Sequence, residues 1–281
     1  MRQLVAGFST HFDRFDVLGW VLVLIVFLVS AGITHGHLLH AFLGSLGIVV
    51  LMLMVSYSIG LILGILENHE KLGELSGYIT NGPELLCVLV GLANAQWKFG
   101  VSVPLGSNFA NPVLFLISAL LAASFWGLFN PFKLKPWLLL LGTMGLAGWF
   151  YLNPPVWLWV IVATGSTVVF YLLKPHDTAP IPEGETPVSV MMLLPAILIL
   201  VASGYALDPM VSFAATASNL SKGLIGFFIL SFLTSWPEFR TMLSLFRINR
   251  PEAAWLNCII SNITNLWLAA GGAIVGLLFL R

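Results

Sequence analysis

Charge is what this sequence lacks most: Asp, Glu, Lys and Arg together make up 9% of its 281 residues. An ordinary soluble domain carries about 25% charged residues, so the shortage excludes a water-soluble globule. A hydrophobic fraction of 58% and a mean hydropathy of +0.96 point to a bilayer as the solvent. Twelve acidic residues balance twelve basic ones, and the absence of net charge argues against a nucleic-acid partner. Cysteine is nearly missing as well. Cys87 and Cys258 both lie inside apolar runs and give no disulfide framework. No nucleotide-binding loop and no hydrolytic constellation is present, which excludes a pump or an enzyme and leaves no call for an organic cofactor.

What is present is a series of apolar runs. Nine candidate spans are expected, at 17–33, 41–66, 75–95, 103–129, 137–151, 156–173, 188–207, 223–246 and 253–280. The expected fold is therefore an all-α polytopic membrane protein. The fifth span is short, and Pro154-Pro155 after it suggest one arm of a tight helical hairpin. The single long polar connection, 174–187, is rich in proline and acid. It divides the chain into an N-terminal half, 1–173, and a C-terminal half, 188–281. Arg2 and Arg14 precede the first apolar run as in a signal peptide, but the leader is long and no cleavage motif follows, so that run is read as a retained first helix.

One motif is written twice. Thr80-Asn81-Gly82-Pro83-Glu84 is followed by Gly106-Ser107-Asn108-Phe109-Ala110-Asn111, and Thr234-Ser235-Trp236-Pro237-Glu238 by Ile260-Ser261-Asn262-Ile263-Thr264-Asn265. Every matching residue lies 154 positions after its partner. The two repeats occupy 75–129 and 223–280. Placing Lys and Arg preferentially inside puts the N-terminus in the cytoplasm and the C-terminus outside. The span carrying Glu84 then runs outward and the span carrying Glu238 inward, so the repeat is expected to be inverted, an arrangement that builds sites at the membrane midplane.

Each proline removes a backbone donor and loosens its helix, and beside each break stands a carboxylate. By these spans Glu84 and Glu238 are the only acidic residues deep in the membrane, with Glu74 and Glu252 at span ends. Neutral oxygens surround them: the hydroxyls of Thr80, Ser107, Thr234, Ser235 and Ser261 and the amides of Asn81, Asn111 and Asn265. Ser107 and Asn111, like Ser261 and Asn265, are four apart and share a helix face. Two carboxylates with many neutral oxygens and no histidine suit a hard cation such as calcium or sodium.

These paired motifs, Thr-x-x-Pro-Glu with a downstream Ser-Asn-x-x-Asn in two inverted copies, resemble the alpha repeats of the calcium/cation antiporter superfamily, which includes the sodium/calcium exchangers. The resemblance implies Glu84 and Glu238 as principal calcium ligands, with Thr80, Asn81, Ser107, Asn111, Thr234, Ser235, Ser261 and Asn265 as supporting donors. The chain departs from the family pattern in three places. Its last span is the second repeat itself and an extra span precedes the first, a change that a rearranged helix order or a homo-oligomer would compensate. Asn265 stands where sodium/calcium exchangers often have Asp, and Trp236 stands where a small residue is usual, which would narrow the cavity.

Other features have plainer readings. His35, His37 and His40 have the spacing of a transition-metal site but sit in a short connection where interfacial polar residues are the default. Cys87 and Cys258 are close enough in sequence to the motifs to face the site, yet cysteine in a membrane helix is usually a small packing residue. Arg240, two residues past Glu238, points to another face of the helix and suits snorkelling. The expected function is a multi-pass antiporter of the cell membrane that moves calcium in exchange for protons or sodium. The rival is a non-transporting membrane scaffold or degenerate exchanger-like protein. Protons are slightly favoured, because one calcium balances two protons and Asn265 removes a third negative charge. If the repeat is inverted, single cysteines placed at Lys98 and at Arg247 label from opposite sides of a sealed membrane, Lys98 from outside; labelling of both from one side would end the inverted-site reading.

Overall fold

The structure is a computed structural model that describes residues 14–65, 72–129, 134–152, 154–175 and 189–279. Apart from Lys174 and Pro175, the connection 174–187 lies outside the described residues, as do Arg2, Lys71, Lys133 and Arg281. All regular structure among the described residues is helical. Lipid offers a backbone no hydrogen-bond partner, so long apolar segments close their bonds internally as helices. In chain order these are α1 (Arg14–Ile33), α2 (Leu38–Ile65), α3 (Leu72–Ile79), α4 (Gly82–Ala93), α5 (Trp97–Leu121), α6 (Leu134–Tyr151), α7 (Val156–Leu173), α8 (Leu193–Ser218), α9 (222–234), α10 (Trp236–Arg247) and α11 (Pro251–Phe279). Within α9, residues Ile225–Leu230 form a wider π-helical turn.

Six stretches are long and apolar enough to cross a membrane: Leu38–Ile62, Gly73–Ala93, Trp97–Leu121, Val156–Leu173, Val190–Ser218 and Pro251–Phe279. The other three expected spans are helical too, but Val17–Ile33 is a shorter apolar run and α10 carries Glu238, Arg240 and Arg247. The seventh expected span, 188–207, needs correction. Asp208-Pro209 reads as its end, whereas α8 continues through Pro209 to Ser218. Ser212 and Thr216 donate to the carbonyls of Asp208 and Ser212, at 2.8 and 2.9 Å, so the later turns satisfy their polar side chains internally. Asp208 therefore lies within a candidate span and is buried, but at the end of the bundle beside the α4–α5 turn rather than with Glu84 and Glu238 at its centre.

Helices α5 and α11 form the centre. Helix α5 packs on α4, α6, α9, α10 and α11, and α11 also packs on α3, α4, α6, α7 and α10. Beside this centre α2 and α8 make the most extensive helix pair, which α1 covers. The 154-residue offset recurs in the backbone. Helices α4 and α10 are twelve residues each, and both are followed by a left-handed residue, Ala95 at φ 55° and Asn249 at φ 57°. The turn is then closed by Gln96 N–H to Gly91 O at 2.6 Å in one case and Arg250 N–H to Leu245 O at 2.8 Å in the other. Helix α3 begins beside the start of α11, where a Cβ on Gly73 would lie 2.8 Å from Ala253 Cα. Helix α9 begins instead beside the α4–α5 turn, where Lys222 meets Gln96.

Close approach of backbones positions the centre. A Cβ on Gly106 would strike the carbonyl oxygen of Phe227 and lie 2.8 Å from Ser231 Cβ, and one on Gly77 would lie 2.8 Å from Asn257 O. Small residues of this kind let membrane helices approach without a hydrophobic drive. Gly271, also on α11, has nothing within 4 Å. Gly106→Ala is expected to destabilise the protein by about 1–3 kcal/mol through overpacking against rigid backbone. Gly271→Ala is expected to be neutral or to stabilise by up to about 1 kcal/mol through helix propensity. Thermal unfolding in detergent reads both, and equal shifts would refute the close-packing account.

Candidate cation site

The two halves of the motif meet at the centre of the bundle. Asn81 and Ser235 are the N-cap residues of α4 and α10, Pro83 and Pro237 occupy the first turn, and Glu84 and Glu238 follow in that same turn. Proline carries no N–H, so its absent donor falls where a helix start has none to satisfy, and the carboxylate gains the positive end of the helix dipole. Each carboxylate then receives a serine from the next helix of its own repeat. Ser107 donates to Glu84 Oε1 at 2.9 Å, and Ser261 to Glu238 Oε1 at 3.2 Å. Thr234 of the other repeat stands beside the first of these, its hydroxyl 3.3 Å from Ser107 Oγ, while Thr80 donates to the Ser76 carbonyl at 2.8 Å.

All ten residues singled out from the sequence are buried at this place, nine with no exposure and Asn81 at 2%, so the site is closed to solvent as it stands. Several of their polar atoms have no hydrogen-bond partner among the described residues: Glu84 Oε2, Glu238 Oε2, Asn111 Oδ1, Ser235 Oγ and both amide atoms of Asn265. Leaving a buried oxygen unsatisfied costs roughly 1–3 kcal/mol, and more when it is charged. A cluster of such oxygens is what a hard cation would satisfy.

The two repeats are not used equally. Asn111 Nδ2 donates to Ser261 Oγ at 2.9 Å and to Asn262 Oδ1 at 3.0 Å, and Asn81 Oδ1 accepts from Ser261 at 3.2 Å. The oxygens around Glu238 are thus knitted together, whereas Ser235 Oγ and the amide of Asn265 have no hydrogen-bond partner among the described residues.

Asn108 and Asn262 belong to the repeat but were not assigned a place in the site. They form a reciprocal clasp between α5 and α11: Asn108 Nδ2 donates to Asn262 O at 3.0 Å and Asn262 Nδ2 to Asn108 O at 3.5 Å. Pro112 gives the signal that could have found it, because without an N–H it leaves the Asn108 carbonyl four residues back free to accept. Thr143 on α6 joins the clasp, its hydroxyl accepting from Asn262 Nδ2 at 3.1 Å.

Three further features take their places in the structure. The Trp236 ring does not narrow the site; it packs on Phe232, Phe239 and the backbone of Gly19 in α1. His37 and His40 meet edge to face at 5.6 Å, but among the described residues no three His, Cys, Asp or Glu gather to hold a metal. Cys87 and Cys258 are free thiols packed in apolar clusters.

Fold and site together define a multi-pass, all-helical integral membrane protein. Residues 187–278, which take in nearly all of the second repeat, match the family described as sodium/calcium exchanger protein. In structure the chain is similar to the H+/Ca2+ exchanger CAX, with a TM-score of 0.61 over 94% of this chain and 74% of that one. At 16% identity that likeness shows a shared fold. No curated protein matches the sequence. The family match thus covers the C-terminal third of the chain, and the structural likeness covers its fold.

The asymmetry between the asparagines has a measurable consequence. Asn111→Ala removes the donor of two buried acceptors and is expected to lower cation-free stability by about 1–3 kcal/mol. Asn265→Ala removes a buried amide with no partner and is expected to leave cation-free stability unchanged or raised. Equal destabilisation in chelator, read by thermal unfolding, would refute the assignment.

Proposed function

We propose that this protein is a secondary cation antiporter that carries calcium across the membrane by alternating access. The observation that carries the reading is the pair of buried carboxylate oxygens, Glu84 Oε2 and Glu238 Oε2, left without hydrogen-bond partners among neutral Ser, Thr and Asn oxygens. The site residues act together: Glu84 and Glu238 supply the charge, and Thr80, Asn81, Ser107, Asn111, Thr234, Ser235, Ser261 and Asn265 replace the hydration shell. Occlusion of all ten fits one stage of a cycle in which the site opens to one side at a time.

The inverted arrangement of nine spans, with helices broken at Thr80-Asn81 and at Ser235, belongs to the same proposal. It is supported by the opposed starts of α3 and α9 and by the reciprocal Asn108–Asn262 contacts. With the N-terminus in the cytoplasm of a cell membrane, calcium leaves the cell. Protons are the favoured counter-ion over sodium: they compete with calcium for the same carboxylates, two of them balance one calcium, and Asn265 adds no third charge. The similar CAX protein is described as an H+/Ca2+ exchanger. The scaffold reading loses the support that Trp236 lent it, since that ring lies against α1.

Calcium titration of the purified protein tests the site. Glu84→Gln or Glu238→Gln leaves a divalent ion uncompensated in a low-dielectric place and is expected to cost about 3–5 kcal/mol of binding, and a Glu84→Gln protein with normal affinity would put the site elsewhere. Vesicle flux tests the counter-ion. An imposed pH gradient is expected to drive calcium movement without sodium, and transport driven by sodium alone at clamped pH would overturn the proton assignment.

A further inference from the structure

Asp208 is the one buried carboxylate among the described residues outside the central pair. It sits on α8 at the end of the bundle that holds the α4–α5 turn. Its Oδ2 accepts from Asn94 Nδ2 at 3.0 Å, in that turn, and its Oδ1 lies 3.1 Å from Lys222 Nζ. The same ammonium donates to Gln96 Oε1 at 2.5 Å and stands 5.4 Å from the ring centroid of Phe99. A carboxylate oxygen, an amide oxygen and an aromatic face thus converge on one positive charge.

The placement of Lys222 needs that cradle. Ser221 caps α9, accepting from Leu224 N–H at 3.3 Å, which makes Lys222 the first residue of a helix. A cation there opposes the helix dipole and is disfavoured by about 0.3–1 kcal/mol. Its side chain is one-quarter exposed while that of Asp208 is 9% exposed, so the ammonium reaches inward from the surface to the acid. The pseudo-equivalent of Asp208 in the first half, 154 residues earlier, is Met54, so the feature belongs to one end of the bundle only.

We propose that Asp208, Gln96 and the face of Phe99 form a second, superficial cation site, and that Lys222 is its tethered occupant, displaced when a small inorganic cation arrives. The reading takes only its ligand class from the proposed function. A metal ion there would take Asp208 Oδ1 and Gln96 Oε1 as its first protein oxygens, with Asn94 able to turn its amide oxygen toward it once Lys222 has left and water filling the remaining positions. Lys222 then swings into solvent, where a short interfacial segment leaves it room.

The experiment uses the full chain with Glu84→Gln and Glu238→Gln, so that the central site contributes nothing and failure there is separable. Acylation of Lys222 by an amine-reactive reagent is followed by mass spectrometry, with Lys98 as internal reference, in millimolar calcium or in an inert organic cation at matched ionic strength. Calcium is expected to speed modification of Lys222 several-fold relative to Lys98, and Asp208→Asn to make it fast in either medium. No calcium effect, or the same effect from the organic cation, would overturn the proposal. A second variant is independent of that chemistry: in the same background Lys222→Met is expected to create a saturable calcium site that Lys222→Met/Asp208→Asn lacks, and its absence in the folded variant would equally overturn it.

Discussion

Two carboxylates held away from water, each with one oxygen that has no hydrogen-bond partner among the described residues, constrain the rest of this molecule. Taking an ionised carboxylate out of water costs several kcal/mol even after relaxation. The chain offsets part of that with a helix start and a serine for each acid, and stops short of satisfying the second oxygen of either. A lysine in the cavity would settle the charge permanently. Its place is left to species that can come and go, cations or protons. A site built this way holds its shape because its donors are fixed by packing, and it binds because its charge is not.

That fixing traces to the contact between α5 and α11. Each helix contributes a serine and an asparagine one turn apart, and between them lies the asparagine whose amide reaches the partner helix's backbone. Backbone approach at Gly106 and Gly77 brings α9 and α3 onto these helices closely enough for Thr234 to meet Ser107 and for Asn257 to donate to Ser76 Oγ. Thr143 adds a third helix to the clasp, so the central crossing is anchored from outside both repeats. Side-chain hydrogen bonds here have no water to compete with them, although the measured gain per bond within membranes is modest.

Much of this was readable because the sequence says it twice. A single Thr-x-x-Pro-Glu is ambiguous, but two copies at a constant offset with serine and asparagine following at the same distances point to a shared site, and all ten residues so marked are buried, seven of them in hydrogen-bonded groups around Glu84 and Glu238. What was not legible is what occurs once. Asp208 was lost because Asp-Pro ordinarily ends an apolar helix, whereas α8 absorbs the proline and continues for nine residues. Its partner Lys222 is fourteen residues away and Gln96 belongs to another half of the chain, so no local pattern joins them. The direction of the Trp236 ring depended on Gly19 in α1, a contact that sequence spacing cannot carry. The Asn108–Asn262 clasp lay inside the repeat but needed the missing N–H of Pro112 to be recognised.

The features that occur once also decide how a two-fold site would behave. With perfectly equivalent repeats, the forms open to either side would have equal free energy, and only the ion gradients would choose between them. This chain breaks that equality in several places: a π-helical turn in α9 against none in α3, hydrogen bonds for Asn111 against none for Asn265, and an ion pair at Asp208 where the first half has Met54. A difference of about 1.4 kcal/mol is tenfold in population, and a single buried hydrogen bond is of that order. The asymmetry is therefore large enough to set a resting orientation. Because Asp208 joins α8 to the α4–α5 turn through Asn94 and to the start of α9 through Lys222, the closed arrangement at that end is the one it stabilises, and a cation in the lysine's place would act directly on that preference.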